Sequence, residues 1–260
     1  MKINAKNIIK IIFAITFAGA VMYSSSQFHE TRCDYVDILI DDSTDIKFID
    51  YNDVFQLIYS VNPDILGYKM CDINLFEIEN FLKQQPYIKN VVVYKTINGH
   101  LKIEIQQRIP VLEVINRNNE CFYIDQDGTI FPISTKYAPK VIVANGFIKE
   151  NYDFNKQKTY NVYNEDFENS KIVELYRLAK LIKNDDFWTD QVEQIFVNNL
   201  NEFEIIPMVG PQILELGSID DYDRKLYYLK SFFLNGLKKT GWDKYKQISV
   251  KYKNQIVCKK

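Results

Sequence analysis

Apolar positions divide the chain into one long run and a series of short periodic segments. The run comes first. From Ile8 to Ser26 the residues are apolar apart from Lys10, Thr16 and three closing serines. These 19 residues make about 28 Å of helix, against a bilayer core of about 30 Å. Lys2, Lys6 and Lys10 lie at its start, and the next basic side chain is Arg32. That asymmetry predicts a cytoplasmic tail over residues 1–7, a transmembrane helix over 8–26 and an exported body. Lys10 reaches the interface through its long stem. A cleaved signal peptide, with the small residues Ala18 and Ala20 near its end, is the alternative. Both readings export most of the chain. A polar linker, residues 27–34, follows.

The next segments alternate between period two and period 3.6. Val36, Ile38 and Ile40 fall on one face of a strand over 35–40. Asn52 is placed to cap a helix carrying Val54, Leu57, Ile58 and Val61. Asn74 and Glu77 have the spacing of a capping box, ahead of Leu75, Ile78 and Leu82 on a second helix. Val91 and Val93 then alternate with Val92 and Tyr94, and Leu101, Ile103 and Ile105 with Lys102, Glu104 and Gln106. Asn98-Gly99 between them signals a hairpin. The order β-α-α-β-β predicts two helices on one face of a three-stranded sheet. It resembles a POTRA (polypeptide-transport-associated) domain, which implies protein binding without chemistry.

Pro110 cannot donate to a ladder, so a domain boundary is placed there: a POTRA domain over 35–109 and a second domain over 110–260. Strands are predicted at Val111–Ile115, Cys121–Ile124 and Thr129–Ile133. The latter two are joined by Asp125-Gln126-Asp127-Gly128. Two acids beside a glycine raise the question of a metal. A calcium loop, however, needs acids at alternating positions and a glutamate near position twelve, whereas Gly128 is followed by Thr, Ile, Phe and Pro. A hairpin turn accounts for the stretch, with Asp125 accepting backbone N–H bonds and Gly128 supplying positive φ. A helix is expected from Ser170, through Ile172, Tyr176, Ala179 and Lys183. Strands follow at Gln191–Asn198, Glu202–Ile206 and Gln212–Leu216. A second helix begins near Asp221, with Leu226, Leu229, Phe233 and Leu237 on one stripe and Gly241 beyond it. Residues 147–169 read as a long surface loop. At the end, Ile248, Val250 and Tyr252 alternate with Ser249, Lys251 and Lys253. Asn254-Gln255 offers a turn, and Ile256–Cys258 a short return strand at a sheet edge. The fold class is α+β: a transmembrane helix, a POTRA domain, and a mixed β-domain with two helices.

Composition narrows the chemistry. A net charge of −2 gives no overall field for nucleic acid. The two histidines, His29 and His100, lie beside the apolar run and in a turn, and neither is placed as a base. The four cysteines, Cys33, Cys71, Cys121 and Cys258, form no CxxC pair. Three disulfide connectivities and the free, buried state all stay open. The acidic pairs Asp41-Asp42, Asp185-Asp186 and Asp220-Asp221 sit at element ends, where solvated acids and caps belong. A membrane-tethered cell-wall enzyme would need paired carboxylates or an activated nucleophile, so the reading is non-enzymatic. Eight lysines between Lys238 and Lys260, against the single acid Asp243, suit either a guarded edge or an acidic partner.

The ordered set of motifs resembles the FtsQ/DivIB family of bacterial division proteins. "QQRIPVLEVI" and "FYIDQDGTIFPIS" look like the family's inter-domain segment and its aromatic-x-Asp-x-x-Gly-x-x-Phe hairpin, matched at Tyr123, Asp125, Gly128 and Phe131. "VGPQILELG" and "DRKLYYLKSFFLNGL" are similar to its glycine-bounded strand and following helix. "YKQISVKYKNQIVCKK" resembles the end of the Bacteroidetes-type branch. Gln106-Gln107 departs from the family, where many members carry an acid before the arginine. The resemblance implies an uncleaved single-pass anchor in the inner membrane, a periplasmic body and a place at the division septum. It implies FtsB/FtsL-type partners that regulate septal peptidoglycan synthesis, and no cofactor or small-molecule substrate. By position, the partner contacts are Tyr252, Asn254, Ile256, Val257 and Cys258. The alternative is another POTRA-bearing export or assembly factor, with clients at the POTRA sheet edge.

Overall fold

The computed structural model describes residues 10, 12–21, 31–156, 158–164 and 170–260. Eight residues of the apolar run at 8–26, namely 8, 9, 11 and 22–26, lie outside the described residues. Residues 12–21 are helical, and among the described residues no helix is long and apolar enough to cross a membrane. The chain forms two compact units, Met1–Gln107 and Arg108–Lys260.

The first unit contains β1 (Tyr35–Ile40), α1 (Tyr51–Val61), α2 (Leu75–Lys83), β2 (Ile88–Lys95) and β3 (His100–Gln107). The sheet order is β1-β3-β2, with β3 parallel to β1 and antiparallel to β2. The two helices lead from β1 into β2, which runs opposite to it, and the Asn98-Gly99 hairpin then turns the chain back, so β3 lies antiparallel to β2 and parallel to β1 between them. The alternating residues meet as the pattern requires. Val36, Ile38, Val91, Val93, Leu101, Ile103 and Ile105 form one core with Val54, Ile58, Ile78 and Leu82 from the helices.

Two details differ from the sequence reading or go beyond it. Asn52 does not cap α1; it lies inside the first turn. The cap is Asp50, whose extended backbone (φ −117°, ψ 179°) lets its carboxylate accept from the Asp53 N–H at 2.9 Å. Asp53 in turn accepts from the Asp50 N–H at 3.0 Å, a reciprocal box that serves two orphan donors at once. Gln107 is buried and uses both ends of its amide. Its Nε2 donates to Ile46 O and its Oε1 accepts from Ile49 N–H, each at 3.0 Å. A carboxylate could not make the first of these bonds.

The second unit is one ten-stranded sheet with helices packed on it. Its strands are β4 (Pro110–Ile115), β5 (Cys121–Asp125), β6 (Thr129–Pro132), β7 (Ile142–Gly146), β8 (Tyr160–Asn161), β9 (Val192–Val197), β10 (Phe203–Pro207), β11 (Ile213–Gly217), β12 (Gln247–Ser249) and β13 (Val257–Lys259). They lie in the order β13-β12-β11-β10-β9-β7-β4-β5-β6-β8. Helix α3 (Lys171–Lys183) packs on β4, and α4 (Tyr222–Ser231) on β11. After α4 the helix widens into a π-helical turn, Phe232–Leu237, and ends at Gly241.

The middle of the sheet is β7, parallel to β4 on one side and to β9 on the other. The sequence reading does not contain it. The segment 147–169 also differs from the expected surface loop. Ile148 and Val162 are buried, β8 pairs with β6, and Tyr152, Phe154 and Tyr160 pack together against Phe122. Residues 157 and 165–169 lie outside the described residues. Ser170 starts α3 but makes no side-chain cap bond. Glu150 supplies the acceptor instead, taking the Lys171 N–H at 2.6 Å, a carboxylate at a helix N-terminus.

Candidate functional site

The candidate site is the β13 end of the sheet. β12 runs parallel to β11, and β13 returns antiparallel to β12, pairing Gln247 with Lys259, Ile248 with Cys258 and Ser249 with Val257. Beyond β13 no further strand is paired among the described residues. β13 therefore presents one side of its backbone without a ladder neighbour.

The ladder is shorter than the alternation from Ile248 to Lys253 predicts. Ile248, Ser249 and Val250 are all buried, so the two-sided pattern fails at once. Val250 N–H still donates to Glu215 O at 3.0 Å, after which the chain leaves the sheet and turns at Asn254, whose φ is +61°. Tyr252 stands 55% exposed on this turn, apart from the face that holds Ile248. Of the five residues named from sequence, Tyr252 and Asn254 are on the exposed turn. Ile256 is half-buried against the core, and Val257 and Cys258 are in β13. Period two holds within β13: Cys258 packs inward, and Val257, 37% exposed, points outward with Lys259. Burial also pushes the Cys258 thiol above its ordinary pKa.

Seven of the eight terminal lysines are exposed, and Lys251 is half-buried. Its ammonium is paired with Glu202, 49 residues back in the chain. The hydrogen bond to Glu202 holds the Lys251 pKa above its usual value. The stem crosses Gly217, where φ is +75° and an added Cβ would lie 2.9 Å from Lys251 Cγ. Nothing local to Lys251 signals either partner. The glycine closing "VGPQILELG" is the one trace of them in the sequence.

The Asp125 stretch is a turn. Asp125 Oδ1 accepts from Asp127 N–H at 2.9 Å and from Thr129 N–H at 2.8 Å. Oδ2 accepts from Arg108 Nη1 at 2.8 Å, in an ion pair whose side chains are 13% and 2% exposed. Gly128, at φ +79°, lies so close to Val162 that a Cβ would approach its Cγ2 to 2.5 Å. The sequence supplies the turn but not its partly buried arginine. Among the described residues no cluster of three or more His, Cys, Asp or Glu could hold a metal ion. The acidic pairs take local roles. Asp185 is bound by Lys230 Nζ at 2.9 Å and by the N–H groups of Phe187 and Trp188. Asp41 accepts from Ser43 N–H, and Asp221 pairs with Arg224. No disulfide joins Cys33, Cys71, Cys121 or Cys258 in this structure.

Two family models match the chain. A POTRA-like domain model matches residues 31–106, and a model described as FtsQ/DivIB, C-terminal related, matches residues 109–259. No curated protein gives a significant match. The second model spans more than half of the 260 residues and contains the whole ten-stranded sheet, so this chain belongs to the FtsQ/DivIB family.

Proposed function

We propose that the protein is a non-enzymatic division scaffold, held in the inner membrane by a single uncleaved anchor over residues 8–26. Its POTRA-like unit and ten-stranded unit are exported and act at the septum. The ten-stranded unit takes up an FtsB/FtsL-type partner by strand addition at β13, linking it to septal peptidoglycan synthesis. Family membership supports the cell-division role. The observation that carries the partner site is the unpaired outer side of β13 at the end of the family-matched sheet. An edge strand of this kind adds a partner strand through backbone bonds, and the side chains beside it set the choice. Tyr252, Asn254, Ile256, Val257 and Cys258 are the proposed contacts.

A fluorescent fusion tests the placement: mid-cell bands are expected, and an even envelope signal would sink it. Intact mass of the membrane-extracted protein should retain residues 1–30, whereas a mature start near Tyr23 would show a cleaved signal. A second reading, an envelope export or assembly factor, draws on the first unit. Both outer strands of its sheet, β1 and β2, are edges, and Leu39 and Val92 are exposed on it. That reading requires client binding to survive loss of β13.

A further inference from the structure

We infer that Glu202 and Lys251 are a positioning pair that fixes β13 in the register needed for strand addition, an inference that rests on β13 being the partner edge. β13 has three residues and three cross-strand pairs. It is joined to β12 by seven residues, 250–256, that lie outside any strand. So short a ladder has few backbone bonds to resist a slip, and a slip of one residue would exchange the inward Cys258 for the outward Val257. Something beyond β13 must hold the connection. Lys251 is its second residue. From the end of β12 its stem passes over Gly217 at the end of β11 and reaches Glu202 at the start of β10. One side chain thus spans three neighbouring strands, and the partner carboxylate sits on a turn that is itself fixed. Asn198 Oδ1 accepts from the N–H groups of Leu200 (2.9 Å) and Glu202 (3.1 Å), and Phe203 is fully buried. Gly217 completes the arrangement, because a side chain there would occupy the path of the stem. The charge of Lys251 is therefore used inside the protein, and Val257, Lys259 and Lys253 are left to face a partner.

The test uses the full-length protein in detergent with three variants: Lys251→Met, which keeps a long stem over Gly217 but no charge, Glu202→Gln, and the swap Glu202→Lys with Lys251→Glu. Two readouts are taken: hydrogen exchange of the Val257–Lys259 amides without partner, and capture of the purified exported fragment of an FtsB-type protein. Each single variant should raise β13 exchange about three- to tenfold and lower capture by a similar factor, with exchange in β4–β6 unchanged. The swap should return both readouts toward wild type. Unchanged β13 exchange in both single variants would overturn the inference, as would a swap that exchanges as fast as the singles. If the unmodified protein fails to capture the fragment, the proposed partner site is wrong, and β13 exchange still decides the role of the pair.

Discussion

Asp125→Ala is expected to destabilise the second unit by about 3 kcal/mol, the lower end of the range for removing one partner of a buried ion pair, because Arg108 is only partly buried. Asp127→Ala, two residues on, should cost clearly less, because its side chain is exposed. Asp125 ties three separated groups to one carboxylate: the Arg108 guanidinium from the inter-unit segment and the N–H groups of Asp127 and Thr129 from the turn. Alanine removes the acceptor for all three at a site whose side chain is 2% exposed. Asp127 is exposed. Both tryptophans, Trp188 and Trp242, lie in the second unit, so their fluorescence during urea unfolding follows that unit alone. Equal losses for the two variants would contradict the assignment. So would a calcium-dependent rise in melting temperature that Asp125→Ala abolishes.

Deleting Gln255–Lys260, or placing proline at Ile256, is expected to remove capture of an FtsB-type partner. Strand addition to a three-residue edge makes three or four backbone bonds. At about 1 kcal/mol each, their loss lowers affinity by more than about a hundredfold. Ile256 and Cys258 pack on the core of the second unit, so some loss of that unit's stability is expected as well. The POTRA-like unit has its own core and should melt as before, which circular dichroism of the full chain can check. Lys253→Ala is the contrasting variant. It removes an exposed charge, and its effect should be small and confined to low salt. A truncated protein that captures the partner at wild-type affinity would place the interface elsewhere.

The parts of this fold that could be read from sequence are those whose causes are local. Val36 to Ile40 and Leu101 to Ile105 show their buried face by alternation. Asn98-Gly99 and Asp125 to Gly128 announce their turns, and the stripe from Leu226 to Leu237 marks its helix. β7 was invisible because a strand flanked on both sides by parallel neighbours need not alternate, and Ile142 to Gly146 gives only a short mixed run. The cap of α1 was misplaced by two residues because Asp50 and Asn52 are both good caps, and only backbone geometry separates them. Residues 147–169 read as a loop because the contacts of the described part, 147–156 and 158–164, are with distant partners: β6 for Tyr160, Phe122 for Tyr152 and Lys171 for Glu150. The terminal strand pair was visible as alternation, but its length was not. Val250 is captured by β11 and Lys251 by Glu202, and both contacts bridge many residues of chain.

Strand addition relocates an edge without removing it. The β8 end of the sheet is only two residues long and is backed by packed aromatics, so growth there has little template. Any strand that docks on β13 becomes the eleventh of the sheet and exposes an outer row of its own. A second strand could then pair with the first, and a third with the second, in a series that leads away from the protein. A scaffold with a fixed stoichiometry must stop that series at its first member. β13 lies inside the stack once it is covered, so the stop cannot be written there. It has to be carried by the incoming segment, through a proline, a bulge, an outward charge or a helix lying over its far side.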